Sequence, residues 1–303
     1  MRLLTRSDFD GLACGALLKE AGIVDGFKFV HPKDIQDGLV TADENDVLAN
    51  IPYIPGAGVW FDHHVSEYER LGSVDCPGDR RVTDSCARIV FDYYGGAARF
   101  PHLSEMIDYV DKVDAAKLTA DEILNPKGWI LLGFIMDPRT GLGRFRNFRV
   151  SNYELMEMLL DDCRTKTIDE ILAMPDVRER AALYNEQTAL YKDMLEKYTT
   201  LRGNCILTDL RNVETIYTGN RFMLYSMYPE QNISVWVVDG RAKMNCPIAV
   251  GHSILNRTSK TKVGSLMLEH GGGGHDQVGT CQVDYDKADE AIAAIIAKIN
   301  SDG

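Results

Sequence analysis

Short apolar runs at 2–4, 27–30, 46–51 and 59–61 are separated by helical or irregular stretches, and this spacing narrows the fold more than any other feature. Strands so far apart are not joined by tight hairpins. Crossovers of this length return the chain to one sheet whose strands run mostly parallel, with helices over the faces. The expected class is α/β. In an open sheet of this kind, ligands gather outside the carboxyl ends of the strands. The run Val59-Trp60-Phe61 ends in Asp62-His63-His64, three side chains able to bind a metal or move a proton. Successive strand residues point to opposite faces, so His63 and His64 are expected to have different roles. Taken alone, the triplet reads equally well as a surface aspartate with two incidental histidines.

After the first strand, Asp8-Phe9-Asp10-Gly11 makes an acidic turn, and Leu12 to Glu20 reads as a helix. Spaced i, i+2 in an extended loop, Asp8 and Asp10 turn both carboxylates to one side and suit a hard divalent ion. The alternative is an N-cap followed by a turn aspartate. Residues 65–82, with mixed charges, Gly72, Pro77 and Gly78, read as an exposed loop. Asp84 to Tyr94 has helical spacing, with Thr83 or Ser85 as its cap. A helix from Leu103 buries Met106, Ile107 and Val110 and places Asp111 and Asp114 on one face. Either aspartate reaches a metal at the strand ends, and both fit a solvated helix surface. Gly128 to Phe134 is apolar core, while Asp137 to Gly141 is a charged turn, on the surface or at a site's rim.

Residues 152–174 read as helical, interrupted by Pro175, and Val177 to Tyr198 as a long amphipathic helix. Beyond it the period shortens to strand-like runs at Cys205–Leu210, Arg221–Met227, Ile233–Val238 and Ile248–Ser253, then a helix over Lys287–Ile299. Two domains follow: 1–176, a connecting helix over 177–202, and a second α/β domain over 203–303. Its one low-complexity tract is Gly271-Gly272-Gly273-Gly274-His275, between helix-like Val263–Glu269 and strand-like Val278–Val283. Consecutive glycines let main-chain N–H groups line an anion-binding concavity, or they form a hinge. Ser253, Asn256 and Arg257 place a hydroxyl, an amide and a guanidinium in one stretch able to clamp phosphate.

At 303 residues the chain is long for a single core and suits two. A hydrophobic fraction of 45% with 26% charged residues and no long uncharged apolar run excludes a membrane span. The opening Met1-Arg2-Leu3-Leu4-Thr5-Arg6 lacks a signal-peptide stretch, so a cytoplasmic location is expected. The seven cysteines, odd in number and without CxxC spacing, read as reduced, buried thiols. A net charge of −12 repels polyanions, which makes long nucleic acid a poor partner and requires a local positive site for any phosphate ligand.

Ser7-Asp8-Phe9-Asp10-Gly11, Asp62-His63-His64 and Gly271 to His275, in this order and spacing, resemble the DHH/DHHA1 phosphoesterase superfamily. It includes RecJ-type exonucleases, oligoribonuclease and cyclic-dinucleotide phosphodiesterases, exopolyphosphatases and pyrophosphatases. The resemblance implies a mostly parallel-sheet DHH domain holding one or two Mn²⁺ or Mg²⁺ ions, a smaller DHHA1-like domain joined by a long helix, and a cleft between them. It implies metal binding by Asp8, Asp10, His63 and Asp111, with Asp62 supporting the cluster and His64 contacting phosphate. Arg257 and His275 would grip the substrate, beside Ser253, Asn256 and Gly272 to Gly274. Members commonly have a bridging aspartate where this chain has Asn50, and many have a histidine before the first aspartate pair, where this chain reads Thr5-Arg6-Ser7. An amide is a weaker ligand than a carboxylate, so one ion, or a second recruited with substrate phosphate, is expected. The implied activity is hydrolysis of a small phosphorylated substrate, a short oligonucleotide, a nucleotide or polyphosphate, by metal-activated water. A homodimer is compatible with the sequence. The rival reading is a non-catalytic phosphate- or nucleotide-binding protein with a degenerate metal centre.

Overall fold

The computed structural model describes residues 1–64, 67 and 70–303. It divides into two compact units, Met1–Lys117 with Pro126–Tyr184, and Leu118–Asn125 with Asn185–Gly303.

In the first unit the chain runs β1 (Arg2–Thr5), α1 (Phe9–Glu20), β2 (Gly26–Phe29), α2 (Pro32–Gln36), β3 (Asp46–Ala49), β4 (Val59–Asp62) and β5 (Gly78–Arg80). The strands lie in the order β2-β1-β3-β4-β5, and every adjacent pair is parallel. The α/β class is the expected one. Both faces are buried, as a parallel sheet requires. Leu4, Leu48 and Trp60 lie in register on one face, in a cluster with Val30, Ile51 and Ile54. On the other, Leu3 and Phe61 are fully buried along with Leu12, Ala16 and Ile89. Gly15 brings α1 against α8 (Asn152–Thr165): a Cβ there would lie 2.4 Å from a methyl carbon of Leu160.

β5 corrects the reading of 65–82 as loop. Gly78–Arg80 pairs with Trp60–Asp62, and a Cβ at Gly78 would stand 2.1 Å from the Trp60 carbonyl, so glycine permits the approach. Three residues with no apolar alternation carry no strand signal. Positions 65, 66, 68 and 69 of that segment lie outside the described residues.

The helices that follow are α3 (Cys86–Tyr93), α4 (Gly96–Arg99), α5 (Ser104–Asp114), α6 (Ala120–Leu124), α7 (Gly128–Met136), α8, α9 (Ile168–Ala173) and α10 (Pro175–Tyr198). The expected helix over 152–174 is two, because Ser151 with Glu154 and Thr167 with Glu170 each form a capping box that starts a new one. Pro175 does not interrupt a helix but opens the 24-residue α10, at the position where its missing N–H has no partner to lose.

The second unit takes α6 and the end of α10 and adds β6 (Thr199–Arg202), β7 (Cys205–Asp209), α11 (Met223–Met227), β8 (Ile233–Val237), β9 (Asn245–His252), α12 (Val263–Glu269), β10 (Gly273–His275), β11 (Val278–Asp284) and α13 (Ala288–Asp302). Its sheet runs β10-β11-β9-β8-β7-β6, antiparallel except for β7 with β8. Val235, Ile248, Val250, Val263, Met267 and Ile295 form its core. Arg221–Met227, expected as a strand, contains α11 instead. Phe222 to Tyr225 are all buried, and a short continuous apolar run has no period to separate helix from strand. All seven cysteines are buried and free. Among the described residues no helix is long and apolar enough to cross a membrane.

Candidate metal centre

The strand order puts β1 beside β3 while the chain leaves β1 for β2 on the opposite side, so the loops after β1 and β3 diverge at their carboxyl ends. This is the switch point at which open α/β sheets bind ligands. The residues after β1, β3 and β4 meet there.

Asp8 is the N-cap of α1 and accepts from the Gly11 N–H at 3.0 Å. The helix thus begins at Phe9, and the expected extended turn with two carboxylates on one side is replaced by a cap and a first-turn aspartate. Asp8 also accepts from Asn50 Nδ2 at 3.1 Å and meets Arg6 Nε at 3.0 Å. Asp10, buried, is gripped by a second helix end: the N–H groups of Cys86 and Ala87, which open α3, donate to it at 3.0 and 2.7 Å. Burial, and then the charge of Asp8, nevertheless push its pKa up to about 7.

β4 ends at Asp62, so His63 and His64 are not separated to opposite faces as strand alternation predicts; their rings stand 4.4 Å apart, and they differ in their partners. The Nδ1–H of His63 donates to the Thr83 carbonyl at 3.3 Å, which fixes the tautomer and leaves the Nε2 lone pair outward. That atom is buried and has no hydrogen-bond partner among the described residues, 3.4 Å from Asp114 Oδ2 and 3.8 Å from Asp10 Oδ2. His64 turns to Asp62, whose fully buried carboxylate accepts from Nδ1 at 2.8 Å. Burial works to lower the His64 pKa, but the hydrogen bond and charge of Asp62, with Asp114 and Asp10 behind them, outweigh it and the net shift is upward. Among the described residues Oδ2 of Asp62 has no hydrogen-bond partner.

Asp10, His63 and Asp114 bring one ligand atom each within 4.8 Å of one another. Burial, and then the Asp10 charge, also push Asp114 up to about 7. A lone pair and two carboxylates turned on one another, Asp10 buried and Asp114 open to solvent, form an arrangement that a divalent cation relieves, and the oxygen and imidazole donors fit Mn²⁺ or a similar ion. Asp111 is elsewhere engaged: Ser85 donates to its Oδ1 at 2.6 Å and Arg88 Nε to its Oδ2 at 2.8 Å. Of the pair one turn apart on α5, Asp114 is therefore the one at the cluster. Asn50, buried with φ of +58°, presents its amide nitrogen to Asp8.

Three contributors carried little sequence signal. Thr83 acts through its carbonyl, and α3 through backbone N–H groups, neither of which a side-chain motif reveals. Arg139, at the charged turn after α7, is paired with Asp137 at 2.8 Å, and its charge also reaches Asp8 and Asp114.

In the second unit the glycine run is not an open cradle. The N–H groups of Gly271 and Gly272 cap α12 by donating to the Leu268 and Met267 carbonyls. Gly273–His275 is strand β10, paired with Val278–Thr280. Cβ atoms at Gly272 and Gly274 would stand 2.0 Å from the Thr280 carbonyl and 2.3 Å from the Val278 carbonyl, so packing explains both glycines. Ser253 Oγ accepts from the Leu255 and Asn256 N–H groups, and Asn256 donates to the Pro229 and Glu230 carbonyls. These two shape the loop, whereas Arg257 and His275 are exposed.

No family model matches the sequence, and no curated relative matches it. Among solved structures, a pGpG-specific phosphodiesterase, PggH, from Vibrio cholerae is 47% identical, with 100% of this chain and 99% of that chain covered and a TM-score of 0.88. A protein titled as a member of the s1p family of ribosomal proteins, PF0399 DHH domain, is 14% identical, covers 99% of this chain and 86% of its own, and has a TM-score of 0.55, a likeness of fold alone. Identity at the first level over the full length, joined to the acidic, DHH and glycine-histidine motifs in their order, makes this chain a member of the DHH/DHHA1 phosphoesterase superfamily.

Proposed function

We propose that the chain is a metal-dependent phosphodiesterase whose substrate is a short linear dinucleotide of the pGpG type. The observation that carries the reading is the buried His63 Nε2, without a hydrogen-bond partner among the described residues and facing Asp10 and Asp114 at the end of β4, beside His64. Full-length identity of 47% to a pGpG-specific phosphodiesterase supports the choice of substrate.

In this proposal Asp10, His63 and Asp114 hold Mn²⁺ or a similar ion, which when bound supplies positive charge that polarises a phosphoryl oxygen and acidifies water. Thr83 keeps His63 in the ligating tautomer. Asp62 holds His64 with Nε2–H outward and favours its charged form, so His64 donates to phosphate oxygen or leaving group as negative charge develops there. The second unit's Arg257 and His275 are assigned to an anionic group of the substrate, as a guanidinium and an imidazole suit.

The test is turnover by purified protein in Mn²⁺, with pGpG, pApA, cyclic di-GMP and polyphosphate compared at equal concentration. Release of GMP from pGpG, abolished by EDTA and preferred over the others, is expected. Turnover of polyphosphate without pGpG would overturn the substrate, and an inert panel would favour a binding protein.

A further inference from the structure

We propose that Arg6 serves as the second cation of this centre: one divalent ion is held at Asp10, His63 and Asp114, and the Arg6 guanidinium, clamped by Asp8, takes a phosphoryl oxygen of the substrate. The inference rests on the phosphodiesterase reading above.

Asp8 stands outside the group whose ligand atoms converge within 4.8 Å. Both of its oxygens are used: Oδ1 accepts from the Gly11 N–H and from Asn50 Nδ2, and Oδ2 faces Arg6 Nε at 3.0 Å. Asn50 is a donor here, since an amide nitrogen turned to a carboxylate cannot ligate on that side. It is also fixed in place. Its N–H points to the Phe61 carbonyl at 3.2 Å and the Cys86 thiol at 3.2 Å, with the backbone in the left-handed region. Arg6 is held from below as well, because a Cβ at Gly11 would lie 2.0 Å from its carbonyl oxygen. The first turn of α1 closes on the Arg6 backbone only because that residue is glycine.

The charges agree with this assignment. Asp62 is faced by His64 and Asp137 by Arg139, which leaves Asp8, Asp10 and Asp114. One divalent ion and one guanidinium neutralise three carboxylates. A second divalent ion would find a neutral amide and a carboxylate already paired to arginine. Arg6 meets Asp8 through Nε, and its terminal nitrogens carry donors in the planar geometry that phosphate oxygens accept. With its side chain 31% exposed, Arg6 is open to a ligand.

Elemental analysis and calorimetric titration with Mn²⁺ should give one ion per chain in the native protein and in Arg6→Ala, with affinities within about threefold, while Arg6→Ala loses roughly 100-fold in kcat on pGpG and Arg6→Lys recovers part of it. Two ions per native chain, or Arg6→Ala with native turnover, would overturn the proposal. If the native protein leaves pGpG intact, the functional reading fails by itself. Inorganic phosphate binding to the Mn²⁺-loaded protein then decides the role of Arg6: roughly tenfold weakening in Arg6→Ala supports it, and unchanged binding refutes it.

Discussion

Metal-free protein should lose stability as pH rises from 5 to 7, against the usual trend for an acidic protein. Asp10 has an ordinary pKa of 3.8 and is pushed to about 7 in the fold by burial and then by Asp8. Between those values the folded chain keeps a proton that the unfolded chain has released. Stability then falls with pH, by about 1.4 kcal/mol per unit per retained proton. Asp114 faces Asp10 and titrates with it, so a single retained proton is the conservative count. Two pH units cost roughly 2.5 kcal/mol, or about 5–10 °C in Tm for a unit of this size. His64, raised above its ordinary value, adds loss of the same sign as pH climbs further. Asp46, Asp161 and Asp176 are held below the usual carboxylate range, so their contribution is lost only as pH falls below about 4, and they are flat in this window. The assay is a thermal melt at pH 5, 6 and 7, in EDTA and in saturating Mn²⁺. Metal requires deprotonated carboxylates and binds better as pH rises, so Mn²⁺ should flatten or reverse the slope. A Tm in EDTA that is level or rises with pH, or an Asp10→Asn variant that keeps the native slope, would refute the reasoning.

Two further outcomes separate neighbouring residues. Asp114→Ala should weaken Mn²⁺ binding at least 100-fold by titration, whereas Asp111→Ala should keep the metal and cost about 1–3 kcal/mol in denaturant melts through the lost Arg88 and Ser85 bonds; the reverse pattern would mean the wrong aspartate was assigned. Gly274→Ala, which drives a Cβ to 2.3 Å from the Val278 carbonyl, should cost about 2 kcal/mol or more, while Gly273→Ala, with nothing within 4 Å, should change thermal stability by less than about 1 kcal/mol. Equal losses would remove packing as the reason for the run.

The parallel sheet was legible because its apolar runs are spaced by crossovers, and Asp62-His63-His64 because it ends one of them. Alternation misplaced the two histidines, which lie beyond the last strand residue with their rings 4.4 Å apart. What the sequence hid lay in partners that are not motifs. Asp111 and Asp114 share a helix face, and only the position of Arg88 and Ser85 shows which carboxylate is spent. Asp8 and Asp10 look equivalent as a spaced pair. One becomes a helix cap bound to an arginine, and the other is gripped by the end of α3. The glycine run read as a ligand cradle because composition reports freedom of the backbone but not the strand that comes to lie against it. Phe222 to Tyr225 were lost to a local ambiguity, since a fully buried run has no polar face to betray its period.

The switch point explains why the two departures from the family pattern belong together. Arg6 and Asp8 follow β1, Asn50 follows β3, and the order β2-β1-β3 makes these loops neighbours although Asn50 is 42 residues from Asp8. A carboxylate at position 50 would face Asp8 at hydrogen-bond distance, and two such charges in a buried place demand a cation between them. An amide donates to Asp8 instead and removes that demand. Asp8 is then free to hold a guanidinium rather than share an ion. Each change makes the other tolerable: Arg6 would compete with a divalent ion if Asn50 were acidic, and Asn50 would leave Asp8 short of positive charge if Arg6 were neutral. On the proposed assignment the centre pairs one exchangeable cation with one covalently attached to the chain, and only the first is removed by a chelator.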